Sequence, residues 1–436
     1  MKNLLIISPT FPPNNAADMH RVRQGVNYWK EFGWNPIVVG VAPHLTEFPK
    51  EEILLQTVPE DLEIHHVKAF SAKYTRKVGL GELGLRSMYF YRKKVNQIIR
   101  QKQKEGNPIE LIYFSTTVFP ICVLGAYWKR KFKIPYIIDM QDPWHSDYYL
   151  TRPKAERPPK FWFSYNLHKF LEPIAMKKVD GIVSVSEGYC QTLQKRYQNI
   201  TPQTCITLPF GAFDKDFEVA NKMDFHNKFF NPKDDFVHLV YIGRGGHDLK
   251  TAAQILFKAI SKGLKENPTL FKKLKLFFIG TDYSSQNPKP TIFPVAQQIG
   301  VQTLVEEFPA RIPYFDTLRL LSEANGLLIF GSIDKNYTAS KLYPYILSEK
   351  PICAVFYEGS SAVSILRKTN AGTVIPFLEE KFDEDKIEEA YITFKKFLEN
   401  IEQKPQTDWQ AFEPYTAREM TRKQAEFFDK IIEINE

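Results

Sequence analysis

Short apolar runs that stop abruptly constrain this chain more than any other feature. Leu4-Leu5-Ile6-Ile7 is closed by Ser8-Pro9. A continuous run of that length between turn residues reads as a strand buried on both faces, the habit of parallel sheets. A loop rich in Pro and Asn follows (Pro12-Pro13-Asn14-Asn15), then helical spacing over 17–32, a stop at Gly33, and a strand over 36–40. Strand, helix and strand in so few residues make a βαβ unit. The pattern returns with strands at 110–114, 135–140 and 181–185. Helices are expected through Trp128, over 161–179, and after Ser186 as N-cap, and 205–211 closes this half. The second half carries strand candidates at 237–243, 274–280, 305–308, 326–330, 351–356 and 372–375. Residues 214–235, polar, charged and aromatic, read as a linker and the entry to the second domain, and 415–434 as a final helix with no strand after it.

A single core stops growing well before 436 residues, so the two runs of βα units are expected to be two Rossmann-like domains. The boundaries read as 1–213, 214–412, and a C-terminal helix over 413–436 that packs back on the first domain. Aromatic residues reach 14%, which suits a large core and sugar-facing or lipid-facing surfaces. The net charge of +8 fits an anionic ligand, an anionic membrane surface or a solvated exterior, and lacks the dense basic stripe of a nucleic-acid binder. Cys122, Cys190, Cys205 and Cys353 form no C-x-x-C pair, so neither a zinc site nor a disulfide is expected, and a reducing cytoplasm is the default. The opening apolar run is too short for a signal peptide, and no stretch is long enough to span a membrane. The expected location is the cytoplasm, with at most peripheral contact at the inner face of the cell membrane.

In open parallel sheets ligands bind beyond the carboxyl ends of the strands, so the residues after each strand are the candidates. Gly243-Arg244-Gly245-Gly246 lets backbone approach a ligand while Arg244 offers a forked donor for phosphate oxygens, and Lys250 adds a cation six positions on. A tight turn with solvated charges explains the same letters. Thr338, Ser340, Lys341 and Leu342 lie at an expected helix start, where free N–H groups and a lysine suit a diphosphate; a capped helix with a surface lysine is the plain alternative. Asn14, Asn15 and Arg21, with Arg23 nearby, sit at the end of the first strand; the alternative is a surface loop with solvated arginines. Asp142 can orient a sugar hydroxyl and Trp144 can stack on a ring, or they can be a helix cap and a core side chain; His145 reads more readily as structural. Asp383-Glu384-Asp385 reads as a solvated face, not a metal site.

Taken in order, five segments carry a resemblance: Leu4-Leu5-Ile6-Ile7 with its Pro12-Pro13 loop, 135–144, 179–188, Tyr241-Ile242-Gly243-Arg244 with Lys250, and Ser340-Lys341-Leu342-Tyr343 through Lys350-Pro351. Over nearly its full length the chain resembles glycosyltransferase family 4, of the GT-B fold. The resemblance implies two Rossmann-like domains whose sheets face a cleft. It implies a retaining transferase moving a sugar from a nucleoside diphosphate sugar to a glycan or lipid-linked acceptor, with bacterial surface polysaccharide synthesis as the family-level expectation. Arg244 and Lys250 match the basic pair that binds the diphosphate and steadies the leaving group, with Gly243, Thr338, Ser340, Lys341 and Leu342 around the same phosphates. Ala310, Arg311 and Ile312 match the segment that contacts the base, and the first domain, with Asn14, Asn15, Arg21, Trp144 and His145, takes the acceptor; Arg244, Lys250 and Asp142 are the catalytic candidates. No metal or other cofactor is expected. Asn336 and Pro344 stand where many members carry a Glu pair, and Gln141 where many carry His. A non-catalytic scaffold of the same fold and a nucleotide-sugar epimerase are the competing readings.

Overall fold

The computed structural model describes residues 1–147, 150, 157, 161–282, 284, 287–332 and 341–435. It divides into two compact units, Met1–Gly211 with Ala417–Glu436, and Ala212–Thr416.

The first unit is built on β1 (Lys2–Ile7), β2 (Trp34–Val41), β3 (Glu63–Val67), β4 (Ile109–Ser115), β5 (Tyr136–Met140), β6 (Gly181–Ser184) and β7 (Cys205–Thr207), all parallel, in the order β3-β2-β1-β4-β5-β6-β7. Leu4, Leu5, Ile6 and Ile7 are fully buried, as a strand covered on both faces must be. The order reverses between β1 and β4, which opens a crevice at their carboxyl ends. β3 and the long helix that follows it escape the apolar-run reading because Glu63-Ile64-His65-His66-Val67 is a polar edge strand.

Helices α1 (Met19–Gly25), α2 (Ala72–Thr75), α3 (Leu83–Lys104), α4 (Val123–Phe132), α5 (Phe161–Met176) and α6 (Glu187–Arg196) connect the strands. The helix expected over 17–32 is two pieces. α1 ends at Gly25, and a 3-10 turn, Trp29–Phe32, closes on Gly33. The Trp29 ring lies where a Gly25 Cβ would be, within 2.7 Å, and Asn27 Nδ2 donates to the Arg23 carbonyl at 2.9 Å. That side chain competes for the backbone partner that a continuing helix would use.

The cysteine expectation is corrected. Cys190 on α6 and Cys205 on β7 are disulfide-bonded, with Cα atoms 6.2 Å apart; the crossover from α6 into β7 folds back and brings the two together. Cys122 and Cys353 are free and buried.

The second unit opens on a correction as well. The expected linker begins with helix α7 (Lys215–Lys222), whose Asp214 cap accepts from the Lys215 N–H and whose Asp216 accepts from Tyr314 Oη at 2.7 Å. Phe217, Val219 and Ala220 are buried beneath a charged exterior that hid the helix from a composition reading. The sheet is β8 (Val237–Ile242), β9 (Leu274–Ile279), β10 (Val305–Phe308), β11 (Gly326–Phe330), β12 (Ile352–Tyr357) and β13 (Thr373–Phe377), parallel, in the order β10-β9-β8-β11-β12-β13. Here the order reverses between β8 and β11. Around it lie α8 (Lys250–Glu266), α9 (Pro268–Phe271), α10 (Phe293–Ile299), α11 (Tyr314–Glu323), α12 (Leu342–Leu347), α13 (Ser361–Lys368), α14 (Glu384–Glu399) and α15 (Trp409–Phe412). Asp383 caps α14, and the Asp383-Glu384-Asp385 triplet is exposed.

The last helix, α16 (Ala417–Asn435), belongs to the first unit. Phe428 packs on Trp29, Trp34 and Tyr113, and Gln424 Nε2 donates to Tyr113 Oη at 2.6 Å. Gly181 has no side chain because Ile431 and Phe427 lie within 3.1 Å of where its Cβ would stand. Among the described residues no helix is long and apolar enough to cross a membrane.

Candidate functional site

The second unit gathers its cations at its own switch point. Tyr241, one residue before the end of β8, is buried between Phe278 and Phe330 and donates its hydroxyl hydrogen to the Arg244 carbonyl at 2.6 Å. Lys341, the N-cap of α12, donates to that same hydroxyl oxygen and lies 3.9 Å from the Tyr241 ring centroid. The fit requires Gly243. Its φ is +147°, and a Cβ there would stand 2.8 Å from Lys341 Nζ. Burial, first, and the neighbouring charges of Arg244 and Arg311 hold the Lys341 ammonium well below the ordinary lysine range, with Asp248 opposing them.

Arg244 is gripped by Asp248 through two hydrogen bonds of 2.8 and 2.7 Å. Burial alone would raise the Asp248 carboxyl, but its hydrogen bonds and charge contact with Arg244 bring it below the usual carboxylate value, with help from Ser332 just after β11. Gly280, with φ +73°, lets the Arg311 stem pass within 3.5 Å of its Cβ position. Arg311 was read as a base contact; its charge also belongs to the cluster around Lys341. Ala310 and Arg311 are exposed and Ile312 half-buried in the loop after β10.

Supporting groups complete this end of the sheet. Glu307 accepts from Thr281 Oγ1 and from the N–H groups of Thr291, Ile292 and Phe293 at 2.5–3.0 Å, which fastens the loop after β9 to the start of α10. Tyr345 Oη accepts from the Ile242 N–H at 2.8 Å and, with buried Leu342, anchors α12 to the end of β8. Lys250 opens α8, half-buried. Thr338 and Ser340 lie outside the described residues, as does Asn336, while Pro344 sits in the first turn of α12.

The first unit has a polar cluster at the ends of β1, β4 and β5. Asp139, fully buried on β5, accepts through Oδ2 from Arg21 Nε at 2.8 Å, Ser115 Oγ at 2.9 Å and Gln141 Nε2 at 2.7 Å. Its other oxygen is buried without a hydrogen-bond partner among the described residues. Asp18 accepts from Thr10 Oγ1 at 2.7 Å and from Thr116 Oγ1 and the Thr117 N–H at 2.9 Å each. Asp142 is exposed as a residue, yet partial burial of its carboxyl and, second, the charge of Asp18 raise it above the ordinary carboxylate value.

Neither arginine of the first loop is solvated. Arg21 also donates to the Leu208 carbonyl at 2.7 Å, and Arg23 donates to Thr57 Oγ1 at 2.7 Å and meets His20 Nδ1 at 3.0 Å. Burial, then Arg23, pushes the His20 imidazole down to about 3, so it stays neutral. Asn14 is buried and fastens the loop through the Phe11 carbonyl and Thr46; Asn15 donates to Glu51. Trp144 is a core side chain, stacked 5.4 Å from Phe119 and donating to His168 Nδ1 at 2.8 Å. His145 packs against Tyr165, and burial is the largest cause holding its imidazole below the usual value.

Asp18, Asp139, Tyr241, Asp248 and Glu307 were given no site role from the sequence, although Tyr241 and Asp139 lie in segments that carry the resemblance. A signal existed for two of them. Asp139 interrupts an apolar strand and must find partners if buried, and Asp248 stands four residues after Arg244.

No family model matches the sequence, and no curated protein does. Solved structures do match. A glycosyltransferase from Rickettsia africae aligns over 99% of this chain and 98% of its own at 14% identity and TM-score 0.55. The Anabaena protein HepE, solved in complex with UDP and glucose, aligns over 98% and 99% at 11% identity and TM-score 0.56. A trehalose 6-phosphate synthase from Burkholderia multivorans aligns over 100% of both chains at 10% identity and TM-score 0.55. At such identities the likeness is one of fold. That fold is GT-B, two Rossmann-like units with parallel sheets of seven and six strands.

Proposed function

We propose that this chain is a retaining glycosyltransferase that moves a sugar from a nucleoside diphosphate sugar to a glycan or lipid-linked acceptor, in bacterial surface polysaccharide synthesis. One observation carries the reading. At the switch point of the second unit, the Lys341 ammonium is buried on the face of Tyr241 while Arg244 and Arg311 repel it. Three cations brought that close are stabilised together by a ligand with several negative oxygens, and a pyrophosphate has the right size and charge. HepE, of like fold, is the protein solved with UDP and glucose.

In the reaction, the bond between the anomeric carbon and the diphosphate oxygen breaks, and the electron pair leaves with the nucleoside diphosphate. The acceptor oxygen bonds to that carbon and gives its proton to the departing diphosphate oxygen. Charge therefore grows on the leaving diphosphate, and fixed cations stabilise that change without reorganising. Arg244, held by Asp248, and Lys341 do this work, with Lys250 adding charge from the start of α8 and the Ala310–Ile312 segment reading the base. Asp142, its carboxyl raised, positions the acceptor hydroxyl on the first unit. The reading uses no metal.

The test is thermal unfolding with a panel of nucleoside diphosphate sugars. One donor is expected to raise the midpoint of the wild type, because a ligand that binds only the folded chain stabilises it. Arg244→Ala and Lys341→Ala should lose most of that rise. No rise with any donor, or an equal rise in both variants, overturns the site. Binding with no transfer to any acceptor overturns the enzyme and leaves a binding protein.

A further inference from the structure

Helix α5 carries large apolar side chains on two opposite sides. Tyr165, Leu171, Ala175 and Met176 face the core of the first unit. The opposite side is apolar too, with Trp162 71% exposed, Phe170 68%, Phe163 50% and Ile174 42%. At 3.6 residues per turn Phe163, Phe170 and Ile174 fall along one stripe, with Trp162 beside it. Large apolar side chains on the outer side of a helix as well as its inner side are ordinarily covered by protein or by lipid. The apolar surface continues beyond the helix, because Phe163 lies against Gly79, within 3.3 Å of its Cβ position, and the segment around that glycine exposes Tyr74 and Leu80. Scattered exposed apolar side chains are normal, but a contiguous aromatic patch marks a contact surface.

The charges around the patch choose the partner. Lys169 on the helix, Lys177 and Lys178 just past its end, and Lys73 and Lys77 on the neighbouring segment are all exposed. Of the nearby acids, Glu47 pairs with Arg76, buried Glu172 accepts from Arg196 and Tyr197, Asp147 accepts from Tyr165 Oη, and burial raises the Glu82 carboxyl to about 7. Trp, Phe and Tyr side chains amid lysines are the chemistry of the interface between water and an anionic bilayer, where the rings sit at headgroup depth and the lysines meet phosphate.

We infer that the exposed face of α5, with the 73–80 segment beside it, docks the first unit onto an anionic lipid surface. The surface stands whether or not the second unit takes a nucleotide sugar.

The experiment is co-sedimentation of the full chain with vesicles of phosphatidylcholine mixed with phosphatidylglycerol, beside vesicles of phosphatidylcholine alone. The wild type is expected to pellet with the anionic vesicles, far less with the neutral ones, and less as salt rises. Trp162→Ser/Phe170→Ser should bind about tenfold or more weakly, since the buried apolar area is lost. Lys177→Glu/Lys178→Glu, which leaves the rings in place, should lose the preference for anionic lipid. Circular dichroism of both variants should match the wild type. A wild type that stays in the supernatant overturns the inference, as do variants that bind like it. So does a wild-type dimer in sedimentation velocity that Trp162→Ser/Phe170→Ser converts to monomer, because the face would then seat a second copy.

Discussion

Gly243→Ala separates the backbone from the ligand at the proposed diphosphate site. The residue sits at φ +147°, where a side chain is strained by about 1–3 kcal/mol. For a unit of this length each kcal/mol moves the midpoint by about 2–4 °C, so unfolding of the second unit should come about 2–12 °C earlier. The new methyl also falls 2.8 Å from Lys341 Nζ, closer than such atoms settle. The lysine end is flexible, so it moves off the Tyr241 hydroxyl and out of line with Arg244. Losing one well-placed cation should weaken donor binding about tenfold or more, near 1.4 kcal/mol. At a donor concentration about 100 times the wild-type Kd, stabilisation of about 2.7 kcal/mol should fall to about half. Gly300→Ala is the control. Its φ is +86°, and no atom lies within 4 Å of the added Cβ, so it carries backbone strain of about 1–2 kcal/mol and nothing else. Differential scanning calorimetry with and without donor measures both effects. An unchanged donor-induced shift in Gly243→Ala, or the same loss in Gly300→Ala, refutes the role given to the Lys341 position.

Three further outcomes are expected. Lys341 is held below its ordinary value of 10.5 by burial and by Arg244 and Arg311, so across the window between its lowered value and 10.5 the unfolded chain binds more protons and stability rises with pH. Denaturant titrations should show that rise in the wild type and not in Lys341→Met. Diphosphate binding, which favours the charged form, should take up a proton in the same window, read by calorimetry in buffers of different ionisation enthalpy. Asp139→Asn breaks a buried pair and strands Arg21, so the first unit should lose about 3–5 kcal/mol while donor binding stays unchanged; Arg21→Met/Asp139→Leu should recover most of that loss if the penalty is the unpaired charge. Reducing the Cys190–Cys205 bridge, which spans 15 residues, should cost about 3 kcal/mol in unfolding experiments with and without reductant, and Cys190→Ser should remove the difference.

Much of the framework was legible because a strand buried on both faces has little freedom in its residues. Leu4 to Ile7, Val237 to Ile242 and Gly326 to Phe330 could hardly be anything else. Polar elements were not legible. Glu63–Val67 pairs at a sheet edge where one side meets water, and α7 hides three apolar residues among charges, so neither leaves a run for the eye to find. The break after Gly25 depends on the Trp29 ring lying against it, which no local propensity records.

The candidate site divides along the same line. Sequence alone determined that Gly243 and Arg244 follow a buried strand and that Lys341 precedes a helix, because those are local patterns of period and punctuation. Only the tertiary structure decided that Lys341 lies on Tyr241 a hundred residues away, that Asp248 holds Arg244, that Arg311 joins the cluster, and that Arg21 and Trp144 are buried instead of facing solvent. Burial and charge proximity depend on which strand ends the sheet order makes neighbours, and that order is set by the packing of the whole unit at once.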